Sequence, residues 1–163
     1  MTVSRPAVLA GIAGVALASV AVALVSQHVF EMQPCPWCVL QRLVFVALGL
    51  VALMGLGWRS PTGQRAVPLL LLVLSVCGIA AALWQHFVAA SSVSCNLTFA
   101  DRVMAATHLA ELLPSVFEAR ATCADAAVDL AGVPYEFWSL AVLTATGVAS
   151  IALLLRKISA VRR

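Results

Sequence analysis

The sequence predicts an all-α membrane protein, a four-transmembrane-helix bundle with two loops on its outer face, the second long and carrying short interfacial helices. Three observations predict it. Of 163 residues, 63% are hydrophobic and only 10% charged, with a mean hydropathy of +1.02; a soluble domain of this size cannot hide that much apolar surface. The apolar residues fall into four segments, Ala7–Val25, Val39–Gly57, Val67–Ala90 and Phe137–Leu155, each close to the ~20 residues that cross a bilayer. The basic residues are unevenly shared between the two faces that four spans define. The chain is thus expected to form one membrane domain over 1–163, with outer loops at about 26–38 and 91–136 and no separate soluble domain. A net charge of +3, scattered and without aromatic interleaving, excludes a nucleic-acid partner.

Four spans place both termini on one side. That side receives Arg5, Arg59, Arg65, Arg156, Lys157, Arg162 and Arg163, while the other receives Arg42, Arg102 and Arg120. The positive-inside rule therefore puts both termini in the cytoplasm. The acids Glu31, Asp101, Glu111, Glu118, Asp125, Asp129 and Glu136 all fall on the outer side, which is consistent but carries little weight in that rule. The expected location is a bacterial inner membrane, multi-pass, with the outer loops in the periplasm. Arg5 followed by an apolar run and Ala21-Val22-Ala23 also resembles a cleavable signal. The run of about nineteen residues exceeds the usual 7–15 of a signal core, so a retained first span is expected.

In the first span, Gly11 and Gly14 are expected to allow close helix approach. His28 and Phe30 follow in a short loop near the interface. Pro34 and Pro36 flank Cys35 and oppose helix there, so the second helix should start near Trp37 or Cys38. The inner loop from Trp58 to Arg65 reads as a tight turn, with Pro68 in the first turn of the third span. That span ends at an amphipathic belt, Trp84-Gln85-His86-Phe87. In the long second loop, Val103, Ala106, Leu109 and Leu113 share one side of an expected helix over Val103–Leu113, lying on the membrane or against a partner. Asp125–Leu130 is expected to form another, broken near Gly132-Val133-Pro134. Tyr135, Phe137 and Trp138 mark the interface before the fourth span.

The chemistry gathers on the outer face. Cys35-Pro36-Trp37-Cys38 enters the second span, and Cys95 and Cys123 lie in the second outer loop. All four cysteines face the oxidising compartment, where disulfides persist. A Cys-x-x-Cys disulfide closes too small a loop to stabilise much, which favours a redox role. Cys95 and Cys123 read equally well as a loop staple. An all-thiolate zinc site is disfavoured because 27 residues separate them, so no metal is expected. Arg42 stands four residues after Cys38, one helical turn away on the same face. Its guanidinium and the helix N-terminus both favour a Cys38 thiolate, and a charge inside the apolar boundary marks function. A snorkelling interfacial arginine is the plainer reading. Gln41 reads as an interface filler. Cys77, in mid-span, reads as a small apolar residue. His86 reads either as an ordinary interfacial histidine or as a hydrogen-bond donor to a ligand carbonyl. His28 and His108 read as loop residues without a visible partner.

The order of these features resembles the DsbB family, bacterial disulfide bond formation proteins. The most specific stretch is Cys35-Pro36-Trp37-Cys38-Val39-Leu40-Gln41-Arg42. Leu113-Pro114-Ser115-Val116-Phe117 before Cys123-Ala124, and Gly132-Val133-Pro134 before Trp138, resemble the family's second loop and its return to the membrane. The resemblance implies a thiol:quinone oxidoreductase that reoxidises a periplasmic DsbA-like dithiol oxidase. It implies that Cys95 is attacked by the partner's reduced cysteine, and that Cys123 pairs with Cys95 and passes electrons to Cys35. Cys38 would then reduce a membrane quinone, ubiquinone or menaquinone, with Arg42 helping to bind it and His86 lying close by. A vitamin K epoxide reductase-like quinone reductase would use a similar relay, but in that family the quinone-facing Cys-x-x-Cys belongs to a late span. A membrane scaffold with disulfide-braced loops is the non-enzymatic alternative, and its cysteines would stay oxidised and unreactive toward a reduced partner.

Overall fold

Four long helices carry the fold: α1 (Arg5–Val29), α2 (Pro36–Gly57), α3 (Pro61–Trp84) and α7 (Tyr135–Val161). All four are long and apolar enough to cross a membrane. The computed structural model describes residues 4–90 and 98–161, with side chains up to residue 155. Between α3 and α7 lie α4 (Phe99–Thr107), α5 (Leu109–Leu112), α6 (Pro114–Phe117), β1 (Asp129–Leu130) and β2 (Val133–Pro134). α1 packs along α2, α2 along α3 and α3 along α7, while α1 and α7 meet only sparingly.

The helices outrun the apolar segments because local start signals lie outside them. α2 starts at Pro36, in the first-turn position proline favours, with Cys35 as its N-cap. α3 starts at Pro61, where the Ser60 hydroxyl accepts the Gly63 N–H at 3.2 Å. The inner loop is therefore shorter than the expected Trp58–Arg65 turn. Pro68 lies in the helix interior, not the first turn; membrane helices tolerate such prolines where neighbours and local adjustments satisfy the backbone. α1 runs through Val29, so His28 is helical and not a loop residue. At its outer end α3 widens into a π-helical turn, Gln85–Ala89, closed by Ala90 N–H to the Gln85 carbonyl at 2.9 Å.

The core is apolar: Leu9, Leu48, Leu71 and Leu143 are fully buried, with Phe45, Val51 and Ala52 around them. Large apolar side chains such as Val22, Met54, Leu69, Val76 and Val148 also cover the outside, as expected of helices that face lipid. Close helix approach occurs at other glycines than expected. A Cβ on Gly11 or Gly14 would meet nothing within 4 Å, whereas one on Gly55 would lie 2.6 Å from Val67 Cγ1 and 3.2 Å from Leu9 Cδ1. Buried hydroxyls bond within their own helices: Ser75 to Leu71, Thr146 to Val142 and Ser150 to Thr146, each at 2.8 Å. No partner helix is needed to satisfy them.

The second outer loop departs from the expected pair of helices. α4 opens with a capping box, Thr98 with Asp101, and buries Ala100 and Met104 against the outer end of α2. His108 in the left-handed conformation (φ 52) stops it, and Leu113-Pro114 stops α5, so no continuous Val103–Leu113 face forms; Ala106 and Leu113 are exposed. Asp125–Leu130 is not helical. A turn at Thr122–Ala126 leads into a hairpin pairing Asp129 with Pro134 and Leu130 with Val133. Ala131 (φ 56) and Gly132 (φ 76) supply the two positive φ angles that such a two-residue turn requires.

Candidate redox site

The outer N-terminus of α2 holds three sulfurs together. As N-cap, Cys35 is fully buried, and its sulfur accepts the Cys38 N–H at 3.3 Å. The Cys35 and Cys38 sulfurs are 2.7 Å apart. Cys123 packs against the buried cluster that Cys35 and Trp37 belong to, and its sulfur interacts electrostatically with the Cys35 thiol. The loop bearing Cys123 is clamped by its backbone: Arg120 and Ala121 donate to the Pro34 carbonyl at 2.9 and 3.3 Å. The turn around Cys123 is held by Thr122, whose hydroxyl bonds Asp125 Oδ2 at 2.6 Å. Cys95 lies outside the described residues.

These contacts make the sulfurs unequal. Hydrogen bonding to Cys123, then to Cys38, and burial push the Cys35 thiol up, so it holds its proton. The Cys35 hydrogen bond, with the Trp37 N–H adding to it against burial, holds Cys123 below the ordinary thiol range. A low-pKa sulfur is the better leaving group in exchange and the larger source of thiolate.

Beneath the sulfurs a cavity of about 370 Å³ opens between α1, α2 and α7, where the bundle is least tightly closed. Its walls are mostly apolar, and Cys38, Gln41, Arg42, Gln85, Tyr135 and Glu136 supply polar groups. Arg42 is 5% exposed and interacts electrostatically with Cys38. Its Nη1 donates to Gln27 Oε1 at 2.9 Å and to the Val116 carbonyl. It is thus no snorkelling side chain: it ties α2 to α1 and α6. Its buried Nε has no partner among the described residues.

Sequence reasoning missed the amides. Gln41 is buried, not an interface filler; its Nε2 donates to Gln85 Oε1 at 2.7 Å, and Gln85 Nε2 reaches the Cys38 sulfur at 3.3 Å. Gln27 and His28 both reach the Ser115 carbonyl, at 3.4 and 3.1 Å. A usable signal was the recurrence of glutamine at the outer ends of the first three spans. His86 is not among the residues lining the cavity; its Nδ1 is 2.7 Å from Glu136 Oε1, and Glu136 does line it. His108 pairs with Glu111 on the surface at 3.4 Å. Cys77 is exposed on the outside of the bundle, away from the other sulfurs. No His, Cys, Asp or Glu cluster able to hold a metal occurs among the described residues.

A family model described as disulfide bond formation protein DsbB matches residues 4–153. The protein named Disulfide bond formation protein B from Aromatoleum aromaticum is 31% identical over 158 residues, covering 94% of this chain and 95% of that one. Its namesake from Herminiimonas arsenicoxydans is 33% identical over 138 residues, covering 84% and 86%. That from Burkholderia thailandensis is 30% identical over 143 residues, covering 87% and 85%.

Proposed function

Because the chain belongs to the DsbB family of disulfide bond formation proteins, we propose that it is a thiol:quinone oxidoreductase that reoxidises a periplasmic DsbA-like dithiol oxidase. The observation that carries the reading is the close pair of Cys35 and Cys38 sulfurs, with Cys123 packed against their cluster, at the mouth of a cavity that Arg42 also lines. The uneven placement of basic residues supports an inner-membrane orientation with these sulfurs outside.

The sulfurs' inequality supports the relay that the family resemblance implies. A thiolate of the partner attacks Cys95 in a Cys95–Cys123 disulfide; one S–S bond forms, one breaks, and Cys123 leaves as thiolate. The partner's second thiolate closes its own disulfide and releases Cys95. Cys123, held below the usual thiol range and already against Cys35, then attacks Cys35 in a Cys35–Cys38 disulfide, and Cys38 leaves as thiolate. Cys95 resolves the Cys123–Cys35 bond, so Cys35 takes a proton and the loop disulfide is restored. The Cys35–Cys38 pair now carries two electrons.

The cavity's donor set fits a quinone head, a flat ring with two acceptor oxygens: apolar walls, the amides Gln41 and Gln85, and the unpartnered Nε of Arg42. When bound, a quinone supplies a two-electron, two-proton acceptor. Arg42 then stabilises negative charge arising beside Cys38, and Gln85 orients the sulfur. The test is quinone-dependent reoxidation of a reduced DsbA-like protein by the purified chain, followed by loss of quinone absorbance. Cys38→Ser abolishes turnover while preserving helix content. Turnover that survives Cys38→Ser overturns the reading.

A further inference from the structure

We propose that Glu136 and His86 form a proton relay between the cavity and water, an assignment that rests on the quinone-reducing reading. Glu136, in the first turn of α7, is 8% exposed and is the one carboxyl among the described residues lining the cavity. A carboxyl buried at that depth is costly unless paired. Its pairing is specific: Oε1 lies 2.7 Å from His86 Nδ1. The His86 side chain is 32% exposed and is flanked edge-on by Phe87 and Phe137, each at 4.8 Å between ring centres. Two proton-carrying groups thus run in sequence from the cavity wall to solvent. They are in register because α3 widens at this point into its π-helical turn, a feature frequent at functional sites. There Gln85 serves Cys38 and its neighbour His86 serves Glu136.

The reaction needs such a path. A Cys35 thiol and a Cys38 thiolate that close to a disulfide release two electrons and one proton. Reduction of a quinone to its quinol consumes two electrons and two protons. One proton comes from Cys35, and the second must enter the cavity from outside. Gln41 and Gln85 are amides that do not exchange a proton at neutral pH, Arg42 keeps its own, and the Tyr135 phenol has no acid or base bonded behind it among the described residues to resupply it from water. Glu136 gives the second proton to the acceptor oxygen. His86 passes its Nδ1 proton to Glu136 and recovers one from water at Nε2.

The experiment separates transfer from binding. Glu136→Gln, His86→Asn and His86→Gly are prepared, and affinity for a short-tailed ubiquinone is read by quenching of tryptophan fluorescence, Trp138 being in the cavity wall. Electron transfer is read as the single-turnover rate from the reduced Cys35–Cys38 pair. The expected result is a rate lower by about 100-fold or more, as for loss of a general acid, with affinity changed by no more than about twofold. Added imidazole restores part of the His86→Gly rate. An unchanged rate in the variants, or affinity falling in step with rate, overturns the relay and leaves the parent reading standing. A wild-type protein that does not reduce the quinone at all overturns the parent reading instead.

Discussion

From Phe45 inward, α2 buries Leu48, Val51 and Ala52 among apolar neighbours; from Cys35 to Arg42, the same helix buries Trp37, Gln41 and Arg42. The two ends satisfy polar atoms differently. Deep in the bundle, the hydroxyls of Ser75, Thr146 and Ser150 bond back into their own helices. At the outer end, four polar side chains reach across: Arg42 to α1 and α6, Gln41 to the π turn after α3, Gln85 to Cys38, and His86 to α7. In hydrocarbon, a polar group that depends on another element fixes the position of that element. The outer end is therefore held by a few directional bonds and the inner end by close packing.

Arg42 should break the outer end most severely. Arg42→Ala removes the charge beside Cys38 and leaves Gln27 Oε1 and the Val116 carbonyl without this donor. The expected outcome is a loss of about 100-fold or more in quinone-dependent turnover and about 1–3 kcal/mol in stability. Mixed-disulfide formation with the thiol partner changes far less. Arg42→Lys does not restore activity, because an ammonium that takes over both Nη1 bonds leaves no second nitrogen in place of the unpartnered Nε. Quinone titration of turnover, run beside trapping of the mixed disulfide, checks both halves.

Gly55 should break the inner end and spare the chemistry. An added methyl would lie 2.6 Å from Val67 Cγ1, and a β-branched helical valine has little rotamer freedom with which to yield. Gly55→Ala should cost about 1–3 kcal/mol by overpacking, read as a lower unfolding temperature in detergent. Turnover per folded molecule stays at the wild-type level. A fall in turnover at full occupancy of the folded state would mean that the two ends are coupled.

The same contrast explains what the sequence disclosed. The spans were legible because some twenty apolar residues in a row have few other uses. Cys35, Cys38 and Arg42 were legible because their relation is local, within two helical turns. Bonds between distant residues were not: Gln27 with Arg42 is 15 positions apart, Gln41 with Gln85 is 44, and His86 with Glu136 is 50. The clamp of Arg120 and Ala121 on Pro34 involves backbone atoms, which residue identity does not announce. In the second loop, Gly132 reads as the break of a helix over Asp125–Leu130 that does not form; it serves the hairpin turn instead. The left-handed His108, a residue with a Cβ and no glycine-like signature, gave no warning that α4 would stop at Thr107.

Ser75 is the smallest and sharpest test of the comparison. Its side chain is fully buried, a position where a lost hydrogen bond would ordinarily leave an orphaned partner. Here the hydroxyl donates to the Leu71 carbonyl one turn back, at 2.8 Å, and the backbone ladder uses that carbonyl as well. Removing the hydroxyl therefore orphans nothing on another helix. What the neighbouring helix does require is small size: a Cβ placed on Gly147 would lie 3.5 Å from the Ser75 Cβ, so α3 and α7 approach closely there. Ser75→Ala should change stability by no more than about 0.6 kcal/mol, whereas Ser75→Leu should cost several times as much by prising α3 from α7. Thermal unfolding of the two variants side by side decides it. Equal losses would show that the hydroxyl, not its size, holds the inner bundle, and the division between the two ends of α2 would fail.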